Sequence, residues 1–180
     1  MEAILEASRS PDYPAEISLV ISDKEAALGL ETALAEDIDA FAFERTDFES
    51  KAAHEAAIIE VIDSAEIDLI CLAGYMRLLS ADFTNRYSGK LINIHPSLLP
   101  KYKGLDTHKR AIEAGKSVHG CTIHYVSEEM DGGEIIAQTE VPVLPEDTPE
   151  TLAARVLVEE HKLYPSTVAK LCQNQVPAES

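Results

Sequence analysis

The chain reads as an α/β protein with an open, mostly parallel sheet, crossover helices and an antiparallel edge. Three observations predict this. Short β-branched runs alternate with helix-length amphipathic stretches along the first half of the chain. Ile67-Asp-Leu-Ile-Cys-Leu-Ala73 is nearly continuous in apolar residues, as a strand covered on both faces requires. Ser117–Val126 and Glu134–Val143 are two strand-length runs joined through Ser127–Gly133, the pattern of an antiparallel hairpin.

In chain order, Met1–Ser8 has helical spacing, and the turn cluster Ser10–Pro14 leads to a strand over Glu16–Ser22. Asp23 suits the N-cap of a helix over Lys24–Ala35, with Ala27, Leu30 and Leu34 on one face. A strand at Ala40–Phe43 precedes a helix over Phe48–Ser64, whose apolar stripe is Ala57, Ile58, Val61 and Ile62. After the Ile67 strand, Ser80 or Asp82 opens a short helix. The strand Leu91-Ile-Asn-Ile-His95 then stops at Pro96, and a helix follows over Thr107–Ala114. Thr148-Pro149 pairs an N-cap with proline at the first helical position. That helix should run to Tyr164, where Pro165 kinks or ends it. Gln173–Ser180 reads as a frayed tail.

With 180 residues, 46% of them hydrophobic, the chain fits one domain. A formal charge of −17 disfavours nucleic acid or an anionic membrane as partner. It leaves room for a small anionic substrate, because salt screens a distant field. Three widely spaced cysteines and no secretory signal predict reduced thiols and a cytoplasmic protein, and no run is long enough to span a bilayer. His119 and Cys121 share a strand face that His124 does not, so no metal site is expected. His54 and His161 suit surface or packing positions, and His108, beside the Pro100 turn, is undecided.

Chemistry centres on the strand that ends at Pro96. Side chains alternate along a strand, so Asn93 and His95 project to one face at a carboxyl end, where open α/β sheets bind ligands. Their N–H groups suit an oxygen gaining negative charge, and the imidazole can also move a proton. The pattern alone equally allows a satisfied strand-end pair. Asp131-Gly-Gly133 is, by itself, more simply a hairpin turn than a carboxylate presented to a histidine. Gly74–Leu79 could wall a flat heterocycle, although core packing with a solvated Arg77 explains it more simply.

Together, Leu72-Ala-Gly-Tyr-Met-Arg-Leu-Leu79, Leu91-Ile-Asn-Ile-His-Pro-Ser-Leu-Leu-Pro100, Gly104–His108, His119-Gly120, Met130-Asp-Gly-Gly133 and Glu160-His161 resemble the phosphoribosylglycinamide formyltransferases. The resemblance runs from Met1 to about Tyr164. It implies transfer of a formyl group from 10-formyltetrahydrofolate, a co-substrate, to the amine of glycinamide ribonucleotide in purine biosynthesis, without a metal. It makes Asn93 and His95 the holders of the formyl oxygen, with Asp131 stabilising the charged imidazole and assisting proton transfer. Lys51, Met76, Arg77, Leu78, Leu79, Asn93, Ser127, Glu128, Glu129 and Met130 would bind folate. Leu157, Val158, Glu159 and Glu160 would contact the ribonucleotide. The expected partners are those two small molecules, with no nucleic acid or membrane, for a monomer or homodimer.

The chain departs from the resemblance at its start, where Met1–Leu5 matches the helix that follows a first strand and a phosphate-binding turn. The expectation is therefore an N-terminally shortened form, without that strand, which is central in the family's sheet, and without the phosphate cradle; Met1 is either an internal methionine of a longer protein, the favoured reading, or the start of a genuinely short form. Lys103 and Asp106 stand where many relatives have Pro and His. The rival functions are a non-catalytic folate-binding remnant, a formyltetrahydrofolate hydrolase, and the core of a methionyl-tRNA formyltransferase.

Overall fold

A computed structural model describes residues 1–175. The helices are α1 (Glu2–Ser8), α2 (Leu28–Ala35), α3 (Lys51–Ser64), α4 (Ala81–Arg86), α5 (Thr107–Glu113) and α6 (Pro149–Gln175). The strands are β1 (Leu19–Ser22), β2 (Asp39–Ala42), β3 (Ile70–Leu72), β4 (Leu91–His95), β5 (Val118–Tyr125) and β6 (Ile135–Pro142).

The strands form two sheets. β1 and β2 pair in parallel, and a four-stranded sheet runs in the order β3-β4-β5-β6. Within it β3 and β4 are parallel, whereas β4–β5 and β5–β6 are antiparallel. This is the expected α/β architecture with an antiparallel edge, but the parallel part is divided. Between β1 and β3 lies a cleft of about 1030 Å³, lined by Val20 and Ile21 on one side and Ile70 and Cys71 on the other. Each of these two strands has a ladder partner on one edge only among the described residues. Both are shorter than the apolar runs that predict them.

Alternation along β4 sends neighbours to opposite layers. Leu91 packs with Ile58 and Ile62 of α3 and with Phe83 and Tyr87, while Ile92 joins Ile123, Ile4 of α1 and Tyr164 and Val168 of α6. Helices thus cover both faces, and the backbone of β4 is fixed in depth. Asn93 and His95 follow Leu91 onto the α3–α4 side.

Several local expectations change. The helix after β1 begins at Leu28, with Ala27 at its N-cap. Asp23 caps nothing; its carboxylate accepts from Arg77 Nε at 2.6 Å, so a stronger tertiary partner replaces the local one. α3 begins at Lys51 because Ser50 accepts from the Ala53 N–H at 3.0 Å. Ser80, not Asp82, caps α4. His54 is buried, with Nε2 2.8 Å from the Phe43 carbonyl. Pro165 does not end α6, which continues to Gln175. Tyr164, Thr167 and Val168 are buried around it, and the Tyr13 hydroxyl donates to the Pro165 carbonyl at 2.8 Å. Packing on both sides offsets the hydrogen bond that proline cannot make. Gln173–Gln175 are therefore helical rather than frayed, and the rest of the expected tail lies outside the described residues.

Candidate active site

β4 delivers Asn93 and His95 to its carboxyl end, and Pro96 turns the chain away there. β5 lies opposite in the register Asn93↔His124 and His95↔Thr122. The β5–β6 hairpin returns Asp131 over the same spot, its backbone in the left-handed region at φ +49°.

His95 is 5% exposed. Its Nε2 lies 3.0 Å from the Tyr102 carbonyl, which can only accept, so Nε2 carries a proton. Its Nδ1 faces Asp131 Oδ2 at 3.5 Å. That separation is too long for a full hydrogen bond, so Nδ1 remains available to a third atom seated between the two groups. Asp131 Oδ2 also accepts from the Gly104 N–H at 2.8 Å, and Oδ1 is 3.8 Å from His124 Nε2.

His124 is a neutral neighbour. Its Nδ1 donates to the Tyr125 carbonyl at 2.8 Å, leaving Nε2 to accept from Asn93 Nδ2 at 3.4 Å. Burial pushes its pKa down, consistent with that tautomer. The contact orients the Asn93 amide and leaves its second N–H free.

Behind the cluster, the fully buried Thr122 ties down the turn after His95. Its hydroxyl donates to the Ser97 carbonyl at 2.6 Å and accepts from the Leu99 N–H at 3.1 Å. Gln138 of β6 donates to that hydroxyl at 2.8 Å and to the Leu99 carbonyl at 3.0 Å. The Leu99–Pro100 peptide bond is cis.

His119 is 1% exposed; its Nε2 lies 3.2 Å from His108 Nδ1, and burial lowers its pKa to about 4. The unfolded chain therefore binds a proton that the native state refuses between roughly pH 6.5 and 4. Stability attributable to this site is intact above pH 6.5 and is lost as pH falls toward 4. Urea unfolding of His119→Gln should show a flatter acid slope, by about 1.4 kcal/mol per pH unit at most. An unchanged slope would locate the proton uptake elsewhere.

The structure gathers some of the expected residues and separates others. Asn93, His95 and Asp131 converge. Met76, Leu78 and Met130 stay exposed at 73%, 60% and 48%, unusual for apolar side chains of this size. Met130 approaches Gly104, beside Asp131, while Leu79 is partly buried against the Leu91 layer. Arg77 is bound to Asp23 rather than simply solvated. Glu129 pairs with Lys103 at 2.6 Å, and Glu128 accepts from Asn85 at 2.9 Å. Ser127 Oγ donates to the Glu129 carbonyl at 3.3 Å. Lys51 lies 3.7 Å from Glu55, itself buried on Ser80.

Leu157, Val158, Glu159 and Glu160 lie on α6, which packs on β5 and β6. No hydrogen bond or ion pair among the described residues joins them to the Asn93–His95–Asp131 cluster. Burial raises the Glu160 pKa, and Glu159 accepts from Lys162 at 2.8 Å. The large cleft is separate too, since none of Asn93, His95 or Asp131 lines it. Among the described residues no three His, Cys, Asp or Glu side chains are arranged to hold a metal ion. Among the described residues no helix is long and apolar enough to cross a membrane.

Residue-by-residue reading overlooks three participants. The Tyr102 carbonyl and Gly104 N–H are backbone groups with no side-chain signature. His124 is visible, but its partnership with Asn93 depends on the β4–β5 register, which strand alternation alone does not fix.

The chain is similar to known proteins over nearly its full length. It is 46% identical over 168 residues to a phosphoribosylglycinamide formyltransferase of Haemophilus influenzae, covering 93% of this chain and 79% of that protein. It is 42% identical over 176 residues to the trifunctional purine biosynthetic protein adenosine-3 of Bos taurus, covering 98% of this chain but 17% of that longer protein. The crystal structure of phosphoribosylglycinamide formyltransferase from Brucella melitensis superimposes with a TM-score of 0.92 at 52% identity, covering 99% of this chain and 92% of the other. With the formyl transferase family profile matching residues 1–168, the chain belongs to the formyl transferase family.

Proposed function

We propose that the chain, acting as a single formyltransferase domain, moves a formyl group from 10-formyltetrahydrofolate to the primary amine of glycinamide ribonucleotide. The observation that carries this reading is the convergence of Asn93, His95 and Asp131 at the end of β4, in a chain so similar to phosphoribosylglycinamide formyltransferases.

In this reading the ribonucleotide amine attacks the formyl carbon, and the formyl oxygen gains negative charge. The free N–H of Asn93 and a protonated His95 Nδ1 donate to that oxygen. Asp131 balances the imidazolium and relays the proton lost by the amine to the departing folate nitrogen. Its bond from Gly104 keeps one carboxylate oxygen in place during that relay.

The exposed Met76, Leu78 and Met130 supply apolar surface for the pterin, with Arg77, Leu79 and Ser127–Met130 framing it and Lys51 meeting the acidic tail. Leu157–Glu160 serve the ribonucleotide. The substrates are small molecules, and the protein works in the cytoplasm as a monomer or homodimer without nucleic acid.

The test is to incubate the 180-residue chain with both substrates and follow formylglycinamide ribonucleotide by mass spectrometry. Product that requires the ribonucleotide supports the reading. Formate release without it would favour a hydrolase, and calorimetric binding of folate but not ribonucleotide would favour a folate-binding remnant.

A further inference from the structure

Tyr102, Gly104 and Asp106 alternate through the left-handed region, at φ +58°, +77° and +56°. Non-glycine residues rarely stay there unless surrounding contacts hold them. This segment touches both reactive side chains. The Tyr102 carbonyl accepts from His95 Nε2 at 3.0 Å, and the Gly104 N–H donates to Asp131 Oδ2 at 2.8 Å.

One side chain reaches across it. Arg110, on the outer surface of α5, donates through Nη1 to the Lys103 carbonyl at 2.7 Å and the Leu105 carbonyl at 3.2 Å, the two carbonyls flanking Gly104. Its guanidinium carbon sits 5.3 Å from the centroid of the Tyr102 ring. We propose that Arg110 is a positioning residue for formyl transfer, bracing the Tyr102–Leu105 backbone so that one carbonyl fixes the His95 ring and one N–H fixes the Asp131 carboxylate. The proposal rests on the function set out above.

The chemistry asks for arginine. A planar guanidinium can bridge two carbonyls while lying over an aromatic ring, whereas a lysine ammonium offers a point charge without the plane. Arg110 is exposed, so removing it buries no unpaired group and should leave the fold standing. The Lys103 side chain leaves the same segment to pair with Glu129 and contacts neither the Tyr102 carbonyl nor the Gly104 N–H.

The test compares the full chain with Arg110→Ala and Arg110→Lys by ¹⁵N-histidine NMR and steady-state kinetics. Wild type should show His95 protonated at Nε2. In Arg110→Ala that signal should shift and broaden while the unfolding midpoint holds. The kcat should drop about tenfold with little change in either KM, since small misplacements of reacting groups act on the chemical step. Methylguanidinium should restore part of the loss, and Arg110→Lys should fall between. Unaltered His95 signals, or an unaltered kcat, would overturn the proposal. If wild type itself forms no product, the functional reading has failed, and the His95 signals still decide whether Arg110 braces the ring.

Discussion

His95→Ala should lower kcat by about 10³-fold while the chain stays folded. The size follows from what the proposed function asks of the ring: one of two donors to the formyl oxygen and the group coupled to Asp131. Losing an oxyanion donor typically costs about 10²–10³-fold, and general acid–base assistance contributes on a similar scale. The two share one side chain, so their effects will not multiply fully. Structurally the substitution is milder, because the Tyr102 carbonyl that loses its donor belongs to a half-buried residue and keeps Ser97 Oγ at 3.5 Å. KM for both substrates should move only a few-fold. Asp131→Asn should follow, at about 10²-fold, since it keeps the shape and the acceptor for Gly104 but removes the charge. A His95→Ala enzyme within tenfold of wild type would remove His95 from the chemistry.

Gly133→Ala should produce the largest loss of stability among single-methyl additions in the hairpin. A Cβ at Gly133 would stand 1.7 Å from the Tyr125 carbonyl oxygen and 2.7 Å from its carbon. The obstacle is backbone at the end of β5, held by the Tyr125 N–H donating to the Glu134 carbonyl at 2.9 Å, so it cannot rotate aside. The hairpin must open, at about 3 kcal/mol or somewhat more. For a chain of this length that lowers the melting midpoint by about 6–12 °C. Opening also lifts Asp131 from His95, so kcat should fall as well. Gly115→Ala is the control: it has φ +60° but open space around the new methyl, and should cost only about 1 kcal/mol. Equal melting points for the two variants would mean that the hairpin yields more easily than this packing implies.

The juxtaposition of Asn93 and His95 was legible because it is written in one short stretch of sequence. Asn93 and His95 share a face by strand period alone, and Pro96 marks where the strand must stop. Asp131 was legible only through resemblance, since its residues by themselves describe a turn. The support around the site was not legible. Thr122, Gln138 and His124 act through cross-strand register, and Tyr102 and Gly104 through backbone atoms in unusual conformations. The outer elements failed for a related reason. Asp23 and Pro165 carry strong local signals, and tertiary partners that no local window contains overrode both.

The acidic charge also bears on how molecules of this protein meet one another. A charge of −17 makes encounters between two copies repulsive at low ionic strength. That repulsion reaches about 10 Å in 0.1 M salt and only about 3 Å in 1 M. Colloidal behaviour therefore depends on salt, which shortens the reach of the shield without touching the fold beneath it.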